Sequence, residues 1–151
     1  MSNKDVSNPP AAAEYLQYKL DEVLQRINRE GEFRASILST LDGFSISAVS
    51  SQFDDVVISA ISSIVQDASK RAERYMGFKR MDEVSLVDDD KFRLVCREFE
   101  VDGSQFVLTV VVPPYKTYRK LTNDAIRNIE RIFLERKKTF GFLFRNRYLH
   151  S

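Results

Sequence analysis

The first regular pattern along the chain has a helical period. Leu16, Leu20, Val23, Leu24 and Ile27 recur three or four residues apart, with Gln17, Lys19, Asp21, Glu22, Gln25 and Arg26 between them, which gives one apolar face. The spacing predicts a helix from about Glu14 that Gly31 stops. The period then shortens to two. Phe33 to Leu41 and Phe44 to Ser50 alternate apolar and small polar residues, and Asp42-Gly43 joins them. Two residues that tolerate positive φ between two such runs predict a hairpin closed by a type I′ turn.

Asp54-Asp55 offers an N-cap and a negative charge at a helix start, so a second helix is expected over about Asp55 to Tyr75. Its stripe of Val57, Ile61, Ile64, Val65, Ala68, Ala72 and Tyr75 is assigned to the core. Ser59, Ser62, Ser63 and Ser69 occupy its other sides, with Ile58 flanking the stripe. Such small side chains would let a neighbouring helix approach closely. After Gly77, three strands are expected at Asp82 to Val87, Lys91 to Val101 and Ser104 to Val112, separated by Asp88-Asp89-Asp90 and by a second Asp-Gly pair, Asp102-Gly103. The last, FVLTVVV, is apolar almost throughout, as a central strand covered on both faces would be. Pro113-Pro114 breaks it. A third helix is expected from about Tyr118 to Lys138, burying Leu121, Ala125, Ile126, Ile129, Ile132 and Phe133.

Composition narrows the function more than the fold. The 151 residues suit one domain, with residues 1–12 read as a disordered leader, 13–138 as the domain and 139–151 as an aromatic and basic tail. Lys and Arg total 23 against 22 Asp and Glu, so no global field draws in nucleic acid or an anionic membrane. The single Cys96 cannot form an internal disulfide, and the polar start carries no signal-peptide core, so the cytoplasm is expected. The longest apolar run, Val107 to Pro114, is too short to span a bilayer as a helix.

Candidate chemistry is sparse. No nucleophile with a base, metal-ligand cluster or phosphate-binding glycine loop is visible, so neither enzymatic activity nor a cofactor or metal is expected. His150 reads as an exposed tail residue, and Cys96 as a small core residue. The run Asp88-Asp89-Asp90 lacks the spacing and closing Glu of a calcium loop and reads as a solvated turn. Arg71 and Arg74 read as solvated helix arginines rather than a group that completes a GTPase transition state. The tail, with Phe140, Phe142, Leu143, Phe144, Tyr148 and Leu149 beside Arg145 and Arg147, either folds back onto the protein or docks on a partner or membrane surface; folding back is favoured, because so much aromatic surface is costly to hydrate.

The segments ILSTLDGFSISAVSS, VVISAISSIVQDASKRAERYMGF and FVLTVVVPP, in this order, resemble the first hairpin, long helix and last strand of the Roadblock family of dynein light chains and MglB-type regulators of Ras-like GTPases. The resemblance covers about residues 33–135. It implies an α+β sandwich: a five-stranded antiparallel sheet in the order helix, two strands, helix, three strands, helix, with the long helix on one face and the terminal helices on the other. It further implies a homodimer or Roadblock-type heterodimer joined through edge strands and long helices, here Ile58, Ser62, Ser69, Glu73, Val84 and Leu86. A Ras-like GTPase partner would then meet Ser59, Ser63, Gln66, Lys70 and Glu73, while Asp42 and Gly43 serve as a structural turn. Two other readings stay open: a dimeric adaptor for a motor or scaffold without a GTPase, and a small-molecule sensor of the GAF or PAS type.

Overall fold

The computed structural model describes residues 9–50 and 53–149, with side chains described for 12–50 and 53–136. Helix α1 (Pro9–Gly31) begins within the stretch expected as a leader. Leu20, Leu24 and Ile27 from its apolar face are buried. It closes with Phe33 N donating to Asn28 O (3.1 Å) and with Glu32 at φ 58. Gly31 thus stands in the last turn as a point of close approach, because a Cβ there would lie 2.5 Å from the Phe33 ring and 2.9 Å from Leu121.

Strands β1 (Ala35–Thr40) and β2 (Ser45–Ser50) form the expected hairpin, but its turn corrects the expected geometry. Gly43 N donates to Thr40 O (3.0 Å) and Thr40 N to Phe44 O (2.9 Å), and of the Asp-Gly pair only Gly43 has positive φ, at 96°. The loop therefore has three residues, Leu41-Asp42-Gly43, with the glycine completing a bulge. The type I′ turn is found at the second pair: Asp102 (φ 51) and Gly103 (φ 87) join strands β4 (Arg93–Val101) and β5 (Ser104–Val112) directly. The two loops differ in surroundings. A Cβ on Gly43 would lie 3.2 Å from Ser59 O and Ser63 Cβ of the long helix, whereas Gly103 has nothing within 4 Å of that position.

The long helix α2 (Asp55–Met76) starts at Asp54, whose carboxylate accepts from Val56 N (2.9 Å), and ends at Gly77. Strand β3 (Val84–Val87) follows. All five strands pair antiparallel in the order β2-β1-β5-β4-β3. The apolar β5 is the middle strand, buried from Val107 to Val110. Helix α3 (Arg119–Leu149) packs beside α1 on one face of the sheet, where Leu38, Val95, Phe99, Leu108 and Val110 meet Leu24, Ala125 and Ile129. On the other face lies α2. The backbone of α3 continues to Leu149, through most of the segment read as a tail.

Substituting alanine at the two turn glycines separates strain from crowding. Gly103→Ala is expected to lower stability by about 1–2 kcal/mol, the cost of placing an L-residue in the left-handed region. Gly43→Ala adds a contact with α2 and is expected to cost more; denaturant midpoints of the two variants measure the difference.

Candidate interaction site: the two faces of the long helix

Capping and a 22-residue run without Gly or Pro make α2 a continuous helix, but the face it turns to the sheet is not the aliphatic stripe. Its buried residues are Ile58, Ser59, Ser62, Val65, Gln66 and Ser69. Val57, Ile61, Ile64 and Tyr75, assigned to the core from their period, are exposed, Ile64 by 70% and Tyr75 by 74%. Val65 alone of the stripe is fully buried as assigned; for the other large apolar residues the face is reversed. Periodicity reports that apolar residues share a side, and here that side looks outward.

The reversal corrects the candidate surfaces as well. Ile58, Ser62 and Ser69, expected at a dimer contact, lie beneath the helix against the sheet, and so do Ser59 and Gln66, expected to meet a partner. Small side chains do permit a close approach, but of α2 to its own sheet. Ser63, Lys70 and Glu73 keep partial exposure. Val84 points inward to Val65 and Cys96, while Leu86 is 53% exposed on the outer edge.

The seam between α2 and the sheet is polar. Ser62 Oγ donates to Ile58 O (2.8 Å) and lies 2.7 Å from Thr109 Oγ1. Thr109 Oγ1, which donates to Ser62, also lies 3.7 Å from Cys96 Sγ. Burial pushes the Cys96 thiol above its ordinary pKa, consistent with an inert core cysteine. Two turns further along, Lys70 donates to Glu98 Oε1 (2.8 Å), a carboxylate whose side chain is 1% exposed. That hydrogen bond raises the Lys70 pKa. Glu73 completes the group, 3.6 Å from Lys70 and accepting from Met81 N.

Beyond α2 the sheet has two edges of different character. On β2, Gln17 and Asn28 of α1 donate to the carbonyls of Ile46 and Val49, both at 3.0 Å. On β3, Leu86 and Val87 stand exposed and, among the described residues, the strand pairs only with β4. The segment leading into β3 is held by ionic contacts: Asp82 takes Arg97 (3.3 Å) and Arg119 (2.7 Å), and Glu83 takes Arg119 (2.8 Å) and the Tyr118 hydroxyl (2.7 Å). Arg97 is buried, and also donates to Thr122 Oγ1 (2.7 Å), Asn123 Oδ1 (2.8 Å) and Asp82 O (3.2 Å). The hydrogen bond from Arg119 keeps the Asp82 carboxyl below its ordinary pKa. Neither Arg97 nor Glu98 could be distinguished by pattern from a solvated strand charge.

No family model matches the sequence, and no match to it is found among the curated proteins. Among solved structures the chain is similar to the gliding protein MglB of Thermus thermophilus, at 16% identity and TM-score 0.66, over 80% of this chain and 92% of that one. It is also similar to the Roadblock/LC7 domain from Streptomyces avermitilis, at 14% identity and TM-score 0.62, over 76% of this chain and 95% of that one. A third structure, MglB with a tetrameric arrangement, aligns at 17% identity and TM-score 0.64, over 80% and 91%. The chain has the Roadblock/LC7 fold.

Within this Roadblock/LC7 fold the remaining candidates have ordinary settings. Asp88 Oδ1 accepts from Phe92 N (2.9 Å) and Lys91 N donates to Asp88 O (3.0 Å), so the acidic run begins a tight turn. Arg71 pairs with Asp67 (3.2 Å) on the exposed side of α2, and Arg74 lies 5.9 Å from the Tyr75 ring centroid. No group of His, Cys, Asp or Glu among the described residues is placed to hold a metal, and among them no helix is long and apolar enough to cross a membrane. His150 and the side chains of the tail lie outside the described residues.

Removing the ammonium from the seam strands a buried carboxylate. Lys70→Met is expected to destabilise the fold by about 2–3 kcal/mol, toward the low end for a broken buried pair because Lys70 is partly exposed; Lys70→Met with Glu98→Gln should recover much of that loss in the same unfolding assay. The Asp82 contacts act in the acid range. Because its folded pKa lies below the unfolded value, these contacts add stability above the ordinary carboxylate pKa, and that increment disappears as pH falls through the folded value. Asp82→Asn should accordingly flatten the acid limb of a melting-temperature profile by a small amount, as Asp82 is largely exposed.

Proposed function

We propose that this chain is a non-enzymatic regulator that works as a pair of copies in the cytoplasm and presents a platform to a Ras-like GTPase. The observation that carries the reading is the exposed aliphatic stripe of α2, Val57, Ile61, Ile64 and Tyr75, on a Roadblock/LC7 fold whose β3 edge is also open. Rows of this size and chemistry mark protein contacts rather than catalytic sites. Two copies that join β3 edges and lay their α2 stripes together remove both liabilities. Leu86 keeps its expected place at this contact. Ile58, Ser62 and Ser69 give way to the outer stripe.

In such a pair the side of α2 toward the β1-β2 hairpin remains open. By helical phase it carries Ser63, Asp67, Lys70 and Arg74, with Phe44 of the hairpin, 72% exposed, beside it. This mixed surface is proposed for the GTPase, acting by positioning that protein's own residues. An adaptor for a motor or scaffold protein would use the same surface.

Two measurements test these readings. Ile64→Lys is expected to convert a pair into single copies in light scattering while the sheet stays folded; a single-copy wild type at all concentrations would count against the pairing. Affinity purification from the native source, with a GTP analogue or with GDP, should retain a small GTPase in one nucleotide state. Arg74→Glu with Asp67→Lys should then weaken its retention about tenfold. Recovery of a motor or scaffold component with no GTPase would favour the adaptor.

A further inference from the structure

Of the six buried residues on α2 only Ile58 and Val65 are aliphatic; the others are Ser59, Ser62, Gln66 and Ser69. Opposite them the sheet offers Ser39, Thr109 and Glu98. Register puts Ser39 and Glu98 on either side of Val107, which packs against Val65, so both lie in the layer that α2 covers. Ser62 and Thr109 satisfy each other, and Lys70 takes one oxygen of Glu98. Ser39 Oγ, Ser59 Oγ, Gln66 Oε1, Ser69 Oγ and Glu98 Oε2 are buried without a protein partner.

All five of these atoms belong to one seam. A buried polar atom without a partner costs about as much as burying an aliphatic side chain returns, so the inner face by itself holds α2 weakly. Lifting the helix would let water reach every one of them. The outer face carries the aliphatic surface that an ordinary amphipathic helix turns inward. A second copy is its fitting occupant, because the stripe is uncharged from Val57 to Ala68 and runs along a helix that meets the open edge strand through Val65 and Val84, as an isologous contact requires.

We propose that docking of α2 on its own sheet and covering of its outer stripe by the α2 of a second copy are one coupled event, so that in a single copy the helix leaves the sheet. The proposal rests on the self-association argued above. Its physical basis is linkage: a contact made only by the docked helix stabilises docking by mass action. The partner platform on α2 then exists only in the paired state, and local concentration controls its availability.

Hydrogen–deuterium exchange of the full chain, with particle size measured in parallel, tests the coupling in three proteins: wild type, Ile64→Lys, and Ile64→Lys combined with Ser59→Ala, Gln66→Leu and Ser69→Ala. The expected result is protected α2 amides in the paired wild type, exchange faster by about tenfold or more at α2 in single-copy Ile64→Lys, and unchanged protection in β4 and β5. The combined variant should regain α2 protection while remaining single, because three of the five stranded polar atoms are gone and only Ser39 Oγ and Glu98 Oε2 of the sheet remain beneath the helix. Protection of α2 in single-copy Ile64→Lys equal to that in wild type would overturn the coupling, as would a combined variant that gains none. Size alone decides the self-association: a wild type that is single at every concentration, with α2 protected, overturns both ideas. A single wild type whose α2 exchanges fast and is protected by the three seam substitutions overturns only the pairing and supports weak docking.

Discussion

Everything about this molecule follows from how α2 meets the sheet. The helix lies across five strands on a face made of serines, one glutamine and two aliphatic residues, and its own aliphatic stripe is turned away. Small side chains let the backbones come close, which is why the β1-β2 loop needs a glycine where it passes Ser59 and Ser63. The same choice leaves a seam with few apolar contacts, and places the largest continuous apolar row of the helix in water.

Strand β4 ties the two layers to each other. Neighbouring residues on a strand point to opposite faces, so Arg97 enters the α3 side and Glu98 the α2 side, and both are buried. Each then needs a partner from the layer above it. Thr122 and Asn123 of α3, with Asp82, receive Arg97, while Lys70 of α2 receives Glu98. Through Asp82 the same arginine fixes the approach to β3, the edge left open for another chain. Helix placement and edge geometry are thus coupled through two adjacent charges.

Much of the architecture was legible in the chain because it depends on local chemistry. The number and order of elements, the Asp54 cap, the Gly77 stop and the central, doubly covered β5 follow from period, turn residues and apolar runs. The same Asp-Gly dipeptide nevertheless closes two different loops, since a turn type depends on what the loop must pass as well as on which residues tolerate positive φ. The site was less legible. Ile61 and Ile64 carry the signature of a core stripe, and nothing in their spacing says whether the surface they face belongs to their own sheet or to another molecule.

The sequence by itself determined that an apolar row and a serine row run along α2 and that Gly43 and Gly103 sit in hairpin loops. Only the tertiary structure decided which of the two rows meets the sheet, that Arg97 and Glu98 are interior charges, and that β3 rather than β2 keeps its edge uncovered. The reason is physical. Periodicity and turn preference are set within a few residues, whereas the phase of a helix on a sheet and the pairing of a buried charge depend on residues dozens of positions away.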